Sequence, residues 1–177
     1  TNVDTDARIL CYDIRDLGKQ LLPVGMLVVL DSVFNRIIRN RRLGRSTWVY
    51  IDEIYLLFQH EYSANFLFTL WKRVRKYGAC CTGLTQNVDD LLQSHTARTM
   101  LANSEFLVML NQASTDRAEL ARLLNISDNQ LSYLTNVDFG RGLIKCGSAI
   151  VPFMDHFPKN NLYRLMSTKP SEADAAV

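Results

Sequence analysis

The stretch Trp48-Val49-Tyr50-Ile51-Asp52-Glu53 decides the reading of this sequence: four β-branched or aromatic residues that close on two carboxylates. A short apolar run of this composition, bounded by polar residues, reads as a strand. A second run, Ala79-Cys80-Cys81-Thr82-Gly83-Leu84, closes on Thr85-Gln86-Asn87. Between them, Phe66, Leu70 and Val74 share one helical face with Leu67 and Trp71 beside it. That helix is expected to start at Glu61 or Tyr62, to run to Lys76, and to end at Gly78.

The same alternation extends in both directions. Upstream, Ile9 to Ile14 reads as a short buried strand, followed by a linker around Gly18 to Pro23. Val24, Leu27, Val28, Leu30, Val33, Phe34, Ile37 and Ile38 then recur at steps of three and four, the mark of an amphipathic helix. It closes on Arg39-Asn40-Arg41-Arg42 before Gly44, cations where the helix dipole is negative. Downstream, Val88 to Leu92 and Thr96 to Ala102 read as short helices, and Phe106 to Leu110 as an uncharged strand expected to be buried on both faces. Ser114 to Leu124 is expected to be helical with Ser114 as its cap, and Ser127 with Gln130 forms a capping-box pattern. Arg141 to Cys146 and Ala149 to Phe153 flank Gly147-Ser148 as a hairpin. Thr168 to Val177 is polar, Ala-rich and expected to be a flexible tail.

Strands alternating with helices predict an α/β domain with a largely parallel sheet. The 177 residues allow one compact domain, and 21% charged with 47% hydrophobic residues is ordinary globular composition. A net charge of +2 implies neither nucleic-acid nor membrane binding by itself. No run approaches the ~20 apolar residues that span a bilayer. The start, Thr1-Asn2-Val3-Asp4, has no signal-peptide pattern and no initiator Met, so a piece of a longer protein is expected. Cys11, Cys80, Cys81 and Cys146 form no C-x-x-C pair, and His60, His95 and His156 lie far apart. Buried, reduced thiols in a cytosolic protein are the expectation, and a metal cluster has no support.

In open α/β sheets ligands bind beyond the carboxyl ends of the strands, so the polar residues there carry the chemistry. Asp52 and Glu53 suit a magnesium–nucleotide site, one carboxylate holding the hydrated cation and the next polarising an attacking water. The same pair also fits a strand that simply runs into a solvated turn. Gln86 can donate to a phosphate oxygen and accept from water, but Thr85-Gln86-Asn87 also fits a plain polar loop. Lys72, Arg73, Arg75 and Lys76 crowd a helix C-terminus. They fit either dipole pairing or an arginine that reaches a neighbouring subunit's phosphates.

Taken in order, these residues resemble the C-terminal RecA-like motor domain of conjugation and type IV secretion ATPases of the VirB-four/TraC type, within the FtsK/HerA class. The matching stretches are Tyr12-Asp13-Ile14, Val49 to Glu53, Arg75-Lys76-Tyr77-Gly78, Thr85-Gln86-Asn87 with Asp90-Leu91-Leu92, Phe139 to Ile144, and Ser167-Thr168-Lys169-Pro170. The resemblance implies a RecA-like P-loop NTPase sheet flanked by helices, incomplete, with a C-terminal hairpin. Residues 1–167 would then be the downstream half of the motor domain. By the resemblance Asp52 is the Walker B magnesium carboxylate, Glu53 the catalytic acid and Gln86 the γ-phosphate sensor, with Thr85 beside it. Arg75 is the arginine finger and Arg73 the second choice, while Arg141 faces the subunit junction. The implied cofactors are ATP and Mg2+, and the implied partners are a ring of identical subunits (a hexamer), other secretion-channel and coupling proteins, and DNA. The implied location is cytoplasmic, at the inner face of the bacterial cell membrane.

One departure is large: the sequence contains no G-x-x-x-x-G-K-[ST], and Gly18-Lys19 is its only Gly-Lys pair. The parent would be an ATPase, with this piece alone inactive. Two other readings compete. A DNA-translocating coupling-type pump would use Arg36, Arg39, Arg41, Arg42 and Arg45 as a phosphate patch. A non-catalytic interaction module of a secretion complex would carry the same acids as vestiges.

Overall fold

The computed structural model describes residues 6–14, 16–18, 20–86 and 88–166. The chain divides into two compact units, one up to Leu101 and one from Ala102 onward. The expected tail and the Ser167 to Pro170 stretch lie outside the described residues, as do Lys19 and Asn87.

The first unit is built on α1 (Leu22–Arg42), β1 (Thr47–Ile51), α2 (Glu61–Arg73), β2 (Ala79–Gly83), α3 (Val88–Gln93) and α4 (His95–Ala102). Pro23 sits in the first turn of α1, where its missing N–H costs nothing. Tight 3-10 turns at Ile54–Phe58 and Val74–Tyr77 flank α2, and the second ends on Gly78 in the left-handed conformation. Strands β1 and β2 are parallel, with Thr47 opposite Ala79 and Ile51 opposite Gly83. Thr47, Val49 and Ile51 turn inward while Trp48 and Tyr50 stay exposed, the period-2 alternation of a sheet packed on one face. The buried cluster draws Met26, Leu30 and Ile37 from α1, Leu67 and Leu70 from α2, and Ala97 and Met100 from α4. Phe34 closes it, edge-on to Phe66 and Tyr77 at 6.2 and 5.6 Å between ring centres.

The expected strand Ile9–Ile14 does not form. Residues 6–14 have no ladder partner among the described residues, and Ile9 is 86% exposed. The segment runs instead antiparallel along α1. Arg39 pairs with Asp6, Arg36 Nη2 donates to the Ala7 carbonyl at 2.9 Å, and Tyr12 and Ser32 share a hydroxyl–hydroxyl bond of 2.7 Å.

The second unit holds β3 (Phe106–Met109), α5 (Ser114–Leu124), α6 (Asp128–Leu131), β4 (Arg141–Cys146), β5 (Ala149–Met154) and α7 (Asn161–Met166). Its sheet is antiparallel in the order β3-β4-β5, so the parallel part of the α/β fold is the β1–β2 pair. The hairpin forms as expected, with Gly147 left-handed at its tip. Met109 and Leu143 are buried with Leu120, Leu124, Ile126 and Leu134. The expectation that β3 is buried on both faces fails, because Phe106 and Val108 are 66% and 62% exposed. Composition reports that a strand can be covered, not that its own unit supplies a cover. Ser114 is the first helical residue of α5 rather than its cap, a position taken by Ala113. Ser127 and Gln130 do close the capping box at α6.

All four cysteines are free thiols, and the expectation of burial is corrected for three. Cys11, Cys80 and Cys146 are exposed, while Cys81 turns inward on β2. Burial, with the neighbouring Cys80 second, pushes the Cys81 thiol from 9.0 up to about 12.

Three outcomes follow from this packing. Leu67→Ala removes a side chain with no solvent exposure and is expected to lower unfolding free energy by about 3 kcal/mol in urea titration. Gly142→Ala would drive a Cβ into the Met109 carbonyl oxygen and is expected to unzip β3 from β4, seen as lost amide protection in residues 106–109 and 141–146. With Ellman's reagent at pH 8, Cys11, Cys80 and Cys146 should react promptly. Cys81 stays protonated at that pH, and should react only after the chain unfolds.

Candidate functional site

The carboxyl ends of β1 and β2 are tied by two hydrogen bonds beyond the strands themselves. Leu84 N donates to the Ile51 carbonyl and Ile54 N donates to the Leu84 carbonyl, both at 2.9 Å. Leu84 is thereby held between residues 51 and 54, and the intervening Asp52-Glu53 must arch out of the strand line. The two acids and Thr85-Gln86 consequently leave the sheet at the same end, from adjacent strands.

Glu53 bears the strain of that arch. Its backbone is left-handed, φ 47° and ψ 48°, a conformation rarely adopted by a residue with a long side chain. The Glu53 N–H donates to Asp52 Oδ1 at 3.0 Å, and its carbonyl accepts from Leu56 N at 3.0 Å, starting the 3-10 turn. The Asp52 side chain is exposed. Glu53 is half-buried, and its Oε2 is enclosed with no hydrogen-bond partner in the described structure. An enclosed carboxylate oxygen without a donor is expensive unless something else supplies one. Gln86 is exposed and Thr85 half-buried.

Gly83 makes the arrangement possible. A Cβ there would lie 2.5 Å from Ile54 Cδ1, so any larger residue would have to push the Ile54 side chain aside where the turn after Glu53 folds over the end of β2. The sequence signal for this was a glycine inside an apolar strand run, which marks close approach. The far end of the turn is fixed by Ser63, whose buried hydroxyl donates to the Leu57 carbonyl at 2.6 Å.

The predicted arginines lie elsewhere. Arg73 and Arg75 stand at the end of α2, just before β2 begins, and both are exposed. A five-residue strand spans about 16 Å, so they flank the opposite end of the parallel pair from Asp52, Glu53 and Gln86. Arg141 opens β4 in the second unit, 3.4 Å from Asp138. Of the arginines considered as a phosphate patch, Arg36 and Arg39 are engaged with residues 6 and 7, leaving Arg41, Arg42 and Arg45 exposed.

The donor set fits one side of a magnesium–nucleotide site. Asp52, exposed, is the residue that would face a hydrated cation, and Glu53, with an oxygen short of a donor, the one that would face a water. The amide-lined loop and lysine that would cradle phosphates have no counterpart in this sequence.

The family model described as TraG P-loop domain matches residues 5–141. A solved structure described as VirB4 of Thermoanaerobacter pseudethanolicus superposes with a TM-score of 0.79 at 24% sequence identity, over 90% of this chain and 44% of that one. The chain thus spans less than half of that protein's length. No curated protein matches it.

The strained, under-partnered state of Glu53 has a measurable consequence. Glu53→Gly relieves the left-handed backbone and removes the enclosed oxygen, against a smaller loss from added freedom in the unfolded chain. The variant is expected to gain about 1 kcal/mol and roughly 2–4 °C in thermal midpoint. Calorimetric scans of the two proteins would measure it.

Proposed function

This chain belongs to the TraG P-loop domain family, and on that premise we propose that it is part of an ATP-hydrolysing motor powering conjugative DNA transfer or type IV secretion. The observation that carries the reading is the pair of strand tips clamped through Leu84, with Asp52 and Glu53 on one and Gln86 on the other.

In this reading Asp52 holds the water shell of a magnesium ion, and Glu53 orients and polarises the attacking water through its unpaired oxygen. Gln86 bridges the water and the γ-phosphate, since its amide both donates and accepts. Thr85 sits beside it. The bound Mg–ATP supplies the phosphoryl group and the charge neutralisation that lowers its barrier. Its phosphates are gripped by a loop from another part of the parent protein. Arg75, with Arg73 as second choice, serves the site of a neighbouring subunit in a ring, which its distance from the acids on its own chain favours. Arg141 faces a subunit junction. The motor works as a hexameric ring on the cytoplasmic side of the inner membrane, with secretion-channel and coupling proteins as partners. The DNA-pump reading loses ground because Arg36 and Arg39 are committed to residues 6 and 7.

Two measurements test the proposal. The 177-residue chain should show no micromolar heat of binding with Mg–ATP, because two carboxylates repel the anion and one amide donor does not replace a phosphate grip. In a polypeptide that includes a phosphate loop, Glu53→Gln should cut ATP turnover by about 10²–10⁴-fold with nucleotide affinity retained. Turnover that survives this change would remove Glu53 from the chemistry.

A further inference from the structure

The two strand tips continue into the walls of a cleft of about 430 Å³, within the size range of ordinary ligand pockets. The 3-10 turn that follows Glu53 supplies Tyr55, Phe58 and Gln59. Helix α3, which follows Gln86, supplies Asp90 and Gln93, with Ser94 just beyond its end. Residues three apart eclipse in a 3-10 turn, so Tyr55 and Phe58 stand on one side of it. Asp90, Gln93 and Ser94 share one helical face by the same kind of spacing. Both rings also pack against the buried cluster of the first unit, which holds them as fixed platforms, while Gln59 and Gln93 are exposed.

The lining narrows the ligand by its chemistry. No cation is among the lining residues, so a polyphosphate or a nucleic-acid backbone finds nothing there to neutralise it. The one carboxylate, Asp90, already has an interaction partner, and Ser94 Oγ accepts from Ala97 N at 3.3 Å. What the cleft offers is two aromatic faces and two primary amides. That set suits an uncharged ligand with flat apolar surface and carbonyl oxygens in want of donors. A proline-rich segment in the polyproline II conformation is such a ligand. Its carbonyls make no internal hydrogen bonds, its rings lie well on aromatic side chains, and its preset backbone loses little entropy on docking. Gln59 and Gln93 each bring two N–H donors for those carbonyls.

We propose that the Tyr55–Phe58–Gln93 cleft binds an uncharged, proline-rich segment of a partner protein as a polyproline II helix. The inference goes beyond the motor reading and stands apart from it, since neither nucleotide nor hydrolysis enters. The site has a consequential position, because an occupant touches the two segments that run on from Glu53 and Gln86.

Nuclear magnetic resonance titration of the isotope-labelled chain with a capped decaproline peptide tests it. Amide shifts should concentrate in residues 54–59 and 88–94 and should saturate. A Gly-Ser peptide of equal length and an oligothymidine should leave those amides unmoved. The double change Gln59→Glu with Gln93→Glu removes the donors at exposed positions, and should weaken decaproline binding at least about tenfold. Phe58→Ala should weaken it as much, with spectra outside the cleft unchanged. Should Phe58→Ala disturb the core, the glutamine pair still decides. The absence of saturable shifts would overturn the proposal, as would shifts gathered on the exposed Trp48 and Tyr50 face. So would equal binding of the Gly-Ser peptide or the oligothymidine, or a Gln59→Glu, Gln93→Glu chain that binds decaproline unchanged.

Discussion

Leu84 is the hinge pin of this structure. Its N–H and carbonyl are both taken by the neighbouring strand end, at Ile51 and Ile54, and each bond is worth only about 1 kcal/mol net. Their effect is geometric rather than energetic. Two residues must bulge between fixed points, so Asp52 and Glu53 are thrust out beside Gln86, and Glu53 takes a backbone conformation that it would not choose alone. The stability that tolerates this comes from elsewhere, from the apolar faces of α1, α2 and α4 closing on β1 and β2.

The parallel arrangement also separates charge. α1 and α2 end where β1 and β2 begin, so the cations that favour helix C-termini gather at the amino ends of β1 and β2. The acids and Gln86 occupy the carboxyl ends.

Much of this was legible in the residues. β1, β2, the helices between and before them, and the β4–β5 hairpin fall where periodicity and glycine placed them, because each pattern is local. The Ser127–Gln130 cap was readable for the same reason. Ile9–Ile14 was not, since a strand exists only beside a partner; Tyr12 bonds to Ser32 of α1 instead, Ile14 packs against the core, and Ile9 is left exposed. Phe106 and Val108 misled because apolar composition does not reveal whether a covering layer exists. Cys80 misled because it stands on the uncovered face of β2, one residue from an inward-facing neighbour. The candidate site was half legible. The acid pair and Gln86 could be named from the strand ends, but the roles of Leu84 and the Tyr55–Phe58 turn could not.

The sequence by itself determined the strands and helices from α1 onward, and that two carboxylates and a glutamine follow two apolar runs, because hydrophobic period and turn chemistry act over a few residues. Only the tertiary structure decided that those runs pair in parallel and in register, that Glu53 is strained with one oxygen unpartnered, and that Arg73 and Arg75 stand at the far end of the strands. Those outcomes depend on contacts between residues some thirty positions apart. No local pattern encodes such a pairing; it is set by which faces can be buried together.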